Sequence, residues 1–573
     1  MSVMRTLIHF SVFIFFFAFL WSCKKESTYA DVIFVNGNIY TVDSLMPSAS
    51  VIAVSNQRII GLGDKNIIDK FKNADTKIID LENSFVMPGF IEGHGHFGGF
   101  GEGLQNLNFL HSKSWDDVIK LVEEKVKTAK PGEWIVGRGW HQEKWDKIPL
   151  NNVLGYPFHD ELSAISPNNP VLLRHASGHA VFANERAMKE AGISKESPNP
   201  LGGEIVRDLD GEAIGVFEER AMNLVSASYQ EYLKSLEPER QKKIWFEGLE
   251  LAQKECLKNG ITSFQDAGTK FKELQWLREW AESGNMDIRL WAMIRESYDD
   301  MDGKLNGFPW LNLGDYHFTV RAIKSEVDGA LGAFGAWLLK PYADKYGFSG
   351  QNTTPLEEVD KIANLAAKHQ LQFCVHAIGD RANKEVLDIF EQKIIQMNGK
   401  ESPRWRMEHA QHLDTLDIPR FKKWGIIASM QGIHCTSDAP FVVKRLGVER
   451  SRTGAYPWRS LIDNGALIAN GTDVPVEEID PIACFYASVT RKRADTGFEF
   501  FPEQRMTRKE AISSYTLWNA FAAFEENDKG SLSIGKLADM VVLSNNLLTC
   551  SDEDILNTKV LMTIVGGDIK YRK

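Results

Sequence analysis

Between residues 88 and 524 the chain alternates short apolar runs with amphipathic stretches of helical period. The runs fall at 261–265, 319–323, 372–376, 404–408, 426–430 and 466–469, with helical stretches such as 356–369 and 383–392 between them. Short apolar runs bounded by turn signals read as buried strands, and their alternation with helices predicts a parallel sheet or a barrel. The runs share a second property, because their C-terminal ends carry side chains able to hold a metal. Lys324 follows Ile323, His376 closes one run, His409 follows Glu408, and Asp473 lies just past Ala469. His94 and His96 close an earlier stretch, Pro88-Gly89-Phe90-Ile91-Glu92-Gly93-His94-Gly95-His96. Strand side chains alternate with period two, so both imidazoles project from one face and form half a site for Zn²⁺ or a similar ion. A buried histidine or aspartate without a partner is costly, and barrel enzymes gather their sites at the C-terminal ends of the strands. The pattern therefore predicts one metal site at the mouth of a barrel.

The two ends of the chain have a different texture. Residues 32–35, Asn36-Gly37 and 38–42 predict a hairpin, and residues 538–543, then 563–565, Gly566-Gly567 and 568–571 repeat the pattern. These ends are expected to join in one small β-sandwich, from 23–87 and 526–573, beside a barrel over 88–525. The stretch at about 104–250, rich in Gly, Pro and Trp, reads as an irregular insertion over one end of the barrel. Residues 1–22 lie outside this plan. An apolar run at 7–21 follows Arg5 and is too short to span a bilayer, which takes ~20 residues, so it reads as a secretory signal. Leu20-Trp21-Ser22-Cys23 resembles a bacterial lipobox, which implies Cys23 as the lipidated first residue of a membrane-anchored lipoprotein at the cell envelope. The remaining cysteines, Cys256, Cys374, Cys435, Cys484 and Cys550, are scattered and odd in number, so they form no disulfide framework. Formal net charge is −11, opposite to what phosphate neutralisation by a nucleic-acid binder calls for. The expected partners are a small-molecule substrate, the membrane through its anchor, and a second copy of the chain as a homodimer.

The ordered motifs PGFIEGHGH (88–96), GRGWHQEKW (137–145), SGHAVFAN (177–184), IKSEVDGALG (323–332), VHAIGDRAN (375–383), RMEHAQHL (406–413), SMQGIHCTSD (429–438) and NGTDVPVE (470–477) resemble the amidohydrolase superfamily, and within it amidohydrolase family 3. That group includes N-substituted formamide deformylases. The resemblance implies a (β/α)8 barrel with one or two divalent ions, Zn²⁺ foremost, at its mouth. His94 and His96 would bind the first ion and His376 and His409 the second. Lys324 would bridge them as a carboxylated lysine, since an ammonium has no lone pair to give. Asp473 would touch the first ion and shuttle protons. His179, His434, Trp140 and Phe334 would face the substrate. The resemblance breaks at His141 and Ser177, where relatives commonly carry Asp, and at Gly332-Ala333-Phe334, where they carry an Arg-containing stretch. The implied activity is metal-dependent hydrolysis of a non-peptide C–N bond of the amide or formamide type. Deamination or cyclic-amide opening on the same barrel is the nearest alternative. It is disfavoured because deaminases of this superfamily place a Glu just beyond the fifth-strand His, where this chain reads Ala377-Ile378-Gly379-Asp380. A ligand-binding lipoprotein without catalysis would have no need of Asp473 as a proton shuttle.

Overall fold

The computed structural model describes residues 29–573 apart from 143–144, 148, 177–179 and 398–401. The signal segment, Cys23, Ser177 and His179 thus lie outside the described residues. Eight strands form one parallel sheet whose spatial order follows the chain: β1 (Phe90–Gly95), β2 (Ile261–Thr269), β3 (Arg289–Ile294), β4 (Phe318–Glu326), β5 (Gln372–Ala377), β6 (Arg406–His409), β7 (Ile427–Gln431) and β8 (Leu467–Gly471). Sequential parallel neighbours need a crossover each time, and right-handed crossovers wind such a sheet round upon itself. The result is a nearly closed barrel. Six of its strands coincide with the apolar runs, whereas β3 was not among the expected runs.

The seam between β8 and β1 is closed by side chains. The Asn519 amide donates to the carbonyls of Ile91 (2.6 Å) and Asn470 (2.8 Å) and accepts from Asn470 N (3.1 Å). Beyond the strand ends, Asp473 N donates to His94 O at 2.8 Å and His96 N to Val474 O at 2.7 Å. The approach is tight at Gly93, where a Cβ would come within 2.4 Å of Asn470 O. These bonds pin the loop carrying Asp473 against the strand carrying His94 and His96.

The insertion is more regular than expected. It builds a six-stranded sheet in the order Gly203–Arg207, Ala213–Glu219, Ala180–Ala183, Val171–His175, Ile135–Trp140 and Leu107–Asn108. Trp115, Trp140, Trp145 and Phe182 fill its interior, so its aromatic richness is core material. Its neck is a crossing of helices Phe97–Gln105 and Pro238–Lys258. There Gly101 and Gly248 meet so closely that a Cβ on Gly101 would lie 2.7 Å from the other backbone.

The chain ends supply two further sheets, one of four strands and one of six. In the latter, Phe85–Pro88 pairs antiparallel with Met540–Leu543, joining the two ends. The Gly566-Gly567 turn does link antiparallel strands Val560–Val565 and Asp568–Arg572. The expected Asn36-Gly37 hairpin does not form. Val32–Val35 pairs with Val51–Ser55 and Lys77–Asp80, while Asn38–Tyr40 pairs in the other sheet. Asn36, at φ 56°, carries the chain across instead of back, because the flanking strands pair in two different sheets while Val32, Phe34 and Ile39 join one apolar cluster. All five described cysteines are free, and Cys374 is buried as interior filler.

Candidate metal centre

The mouth of the barrel is organised outward from a buried cation. Arg406, at the start of β6, donates to Gly93 O (2.6 Å), Ser429 Oγ (2.7 Å) and Gln265 Oε1 (2.5 Å), and its Nε lies 2.7 Å from Glu408 Oε1. Period two places Arg406 and Glu408 on one face of β6. The other oxygen of Glu408 bonds His94 Nδ1. With Nδ1 committed to a carboxylate, the lone pair of His94 sits on Nε2, which is how metal-binding histidines are normally oriented. That Nε2 lies 3.6 Å from Asp473 Oδ1, and His96 Nε2 lies 3.2 Å from the same oxygen.

Two residues reach the site through unusual backbone. His409 (φ 72°) and Asp473 (φ 63°) both adopt the left-handed region, uncommon for side chains other than Gly and Asn. At His409 this turns the residue after Glu408 toward the same cavity, which period two alone would forbid. Strain of this kind costs of order 1–3 kcal/mol per residue and gathers at functional sites. His409 Nδ1 is fixed by Gln431 Oε1 at 2.7 Å, and its ring stands 4.8 Å from His94 and 4.5 Å from His376. His434, from the helix Gly432–Leu446 that follows β7, brings Nε2 to 3.8 Å from Asp473 Oδ2. Two sets of ligand atoms therefore converge within 4.8 Å, His94/His96/Asp473 and His409/His434/Asp473, sharing Asp473.

The donor set fits a divalent cation. His94 Nε2, His376 Nε2, His434 Nε2 and Asp473 Oδ1 are buried without a hydrogen bond, and a buried polar atom left unmatched costs ~1–3 kcal/mol. Burial, helped by the nearby Lys324 ammonium, pushes His94 down to about 4 and His376 to about 3, so both are neutral with free lone pairs. Burial likewise holds His409 well below the ordinary imidazole value. For Asp473 burial acts upward, but the contact with His96 outweighs it and holds the carboxyl well below the ordinary carboxylate value.

Lys324 is buried on β4, and burial lowers its ammonium below the usual value. A salt bridge to Glu326 or Asp328 would have been its ordinary structural role. Among the described residues none forms: Glu326 pairs with Arg295 at 2.5 Å, and Asp328 accepts from the amides of Trp337, Ile378 and Gly379 at 2.8–2.9 Å. His376 points Nε2 to 3.7 Å from Asp328 Oδ1 and stands outside both convergent sets. Around these groups opens a cavity of about 380 Å³, bounded further by Leu331, Gly332, Gln411, Asp438, Phe441 and Glu477.

The six expected ligands thus share one end of the barrel, and His434 stands among them at the cavity. Two expected substrate residues are elsewhere. Trp140 is fully buried inside the inserted sheet, where its indole N–H donates to Leu173 O at 2.9 Å. Phe334 (φ 59°) turns away from the cavity to pack on Tyr342 beneath the Arg445 guanidinium, 3.9 Å from the ring centre. The orienting pair Arg406–Glu408 escaped the sequence reading, although two charges at i and i+2 on a buried strand were its signal.

An eight-stranded parallel barrel with histidines and an aspartate converging at its C-terminal mouth defines a class of metal-dependent hydrolases. The profile of the amidohydrolase family matches residues 77–571, and the chain belongs to that family. It is 32% identical to the Arabidopsis thaliana protein LONG AFTER FAR-RED 3, over 96% of this chain and 94% of that one. It is 28% identical to the N-substituted formamide deformylase of Arthrobacter pascens, over 95% and 98% of the two chains. Among solved structures, an uncharacterized metal-dependent hydrolase from Pyrococcus furiosus superposes with a TM-score of 0.73 at 26% identity, covering 90% of this chain and all of the other.

Proposed function

We propose that the protein hydrolyses a C–N bond of a small amide or formamide, using one or two divalent ions of which zinc best suits the His/Asp donor set. The observation that carries this reading is the group of buried, unpartnered acceptors around one cavity at the barrel mouth. The formamide deformylase relative, alignable over nearly its whole length, supports the bond type. His94, His96 and Asp473 would hold one ion, and His376 and His409 the other, with His434 beside it. Burial lowers the Lys324 ammonium toward the amine form, which could condense with CO₂ to a carbamate able to serve as a metal ligand. A bound ion supplies a water acidified from ~15.7 toward ~7 and polarises the scissile carbonyl.

The remaining work falls to the protein. Asp473, reached by both ligand sets, takes the proton of the attacking water on a carboxylate oxygen and returns it to the leaving nitrogen, a role typically worth ~10²–10⁴-fold. Glu408 and Gln431 keep the imidazoles turned with Nε2 inward. The N-terminal signal pattern further supports a lipid-anchored enzyme facing the cell exterior or periplasm, which Cys23→Ala should release into the soluble fraction.

The test is an amine-release screen of the metal-loaded protein over formamides, acyl-amino acids and aryl amides. Equimolar amine and carboxylate are expected. Ammonia in place of a substituted amine would move the assignment to deamination, and absence of turnover across the panel would refute it. Loss of activity in Lys324→Ala with recovery on adding a short carboxylic acid would support the carbamate.

A further inference from the structure

The two ligand sets at the barrel mouth divide one carboxylate between them. Asp473 turns Oδ1 toward His94 and His96, at 3.6 and 3.2 Å, and Oδ2 toward His434 Nε2, at 3.8 Å. Two ligands lying ~2.0–2.2 Å from one zinc ion stand at most about 4.4 Å apart, so all three separations suit ligands of a common ion. The second set comes from one junction of the chain, where β7 ends and the helix Gly432–Leu446 begins. Gln431 there holds His409 by Nδ1, which leaves the other ring nitrogen for the cavity, and His434 follows three residues later. The two rings lie nearly parallel, 17° between planes, with centres 6.1 Å apart. Ligand atoms of His409, His434 and Asp473 all fall within 4.8 Å of one another. Among the described residues His434 Nε2 is buried with no hydrogen bond. His376, by contrast, turns its Nε2 to 3.7 Å from Asp328 Oδ1 and belongs to neither set.

A buried nitrogen left unmatched is costly unless something arrives to fill it. We infer that His434 is a direct ligand of the second ion, held together with His409 and Asp473, so that Asp473 bridges the two ions through its separate oxygens. This rests on the reading of the barrel mouth as a metal centre, and it moves His434 from the substrate side of the cavity to the metal side. An ionised carboxylate has about four acceptor sites, so bridging leaves Asp473 lone pairs with which to take a proton.

Zinc bound to the full chain, and not turnover, tests it, so the amine-release screen judges the hydrolytic reading separately. The parent at saturating zinc is expected to hold two ions per chain. In competitive chelator titration His434→Phe should keep one of them and bind the other at least about 100-fold more weakly, beyond the ~10–100-fold of a residue that only orients a ligand. One zinc per parent chain, or two affinities unchanged in His434→Phe, would overturn the inference while leaving the first ion and hydrolysis standing. No zinc at all would remove the metal centre and the hydrolytic reading with it. Should His434→Phe not fold, crystals of the zinc-loaded parent decide. Anomalous diffraction should then show a second peak bonded to His434 Nε2, His409 and Asp473 Oδ2. A second peak bonded to His376 and His409 with His434 out of bonding distance, or no second peak, would contradict it.

Discussion

Two arginine–carboxylate pairs are buried at opposite ends of the barrel, and they end differently. At the bottom, Arg289 at the start of β3 grips Asp539 with both Nε (2.7 Å) and a terminal nitrogen (2.9 Å). It donates further to Tyr316 O and Gln57 Oε1, and Asp539 accepts in addition from Gly566 N. This network closes on itself and fastens the barrel to the sheet of the chain ends. At the mouth, Arg406 holds Glu408 and Glu408 holds His94, but there the chain of bonds stops at a bare Nε2. A closed network contributes stability and register. An open one keeps a lone pair aimed at something that must still arrive. The contrast follows the general division of such barrels, with structural roles at the bottom and chemistry at the top.

The comparison can be broken most forcefully at the open end. Asp473→Asn should lower kcat by about 10²–10⁴ even when assayed at saturating zinc; undiminished turnover would remove Asp473 from the proton path. At the closed end, Asp539→Asn leaves Arg289 buried without its counter-charge. A loss of about 3–5 kcal/mol in urea unfolding is expected, with zinc affinity unaltered.

Glu408→Gln distinguishes the two networks within one residue type. It should weaken zinc binding about 10–100-fold by competitive chelator titration, an effect Asp539→Asn should lack. Acid should sharpen the contrast further. His94 sits at about 4 when folded and returns to about 6.5 when unfolded. Between those values the unfolded chain binds a proton that the native one refuses. Metal-free protein should accordingly lose stability as pH falls through that window, by at most about 1.4 kcal/mol per pH unit for this histidine. A flat denaturation midpoint from pH 7 to 4 would contradict the burial of a neutral His94.

Legibility followed distance along the chain. Strands β2 and β4 to β8 could be read because each is a local apolar run, and His94, His96, His376, His409 and Asp473 because each sits at or just past the end of such a run. The pairing of Glu408 with His94 joins residues 314 positions apart, which no local pattern records. The left-handed turn at His409 is equally invisible, since the partner of its ring, Gln431, lies 22 positions away on β7. Trp140 and Phe334 were misplaced because an aromatic beside a motif looks alike in a pocket wall and in a core. The Asn36-Gly37 crossing was misread because its turn chemistry suits a hairpin until tertiary partners pull the strands into separate sheets. Trp140→Phe gives the smallest expected effect, about 1 kcal/mol from the lost bond to Leu173 O, with KM untouched.

The central claim, that His94, His96 and Asp473 converge on a cation, is tested most directly by anomalous diffraction at the zinc absorption edge from crystals of the zinc-loaded protein. A peak bonded to His94 Nε2, His96 and the Asp473 carboxylate is the expected result, lost in His94→Ala. Stoichiometric zinc bound elsewhere, with no peak among these three side chains, would contradict it.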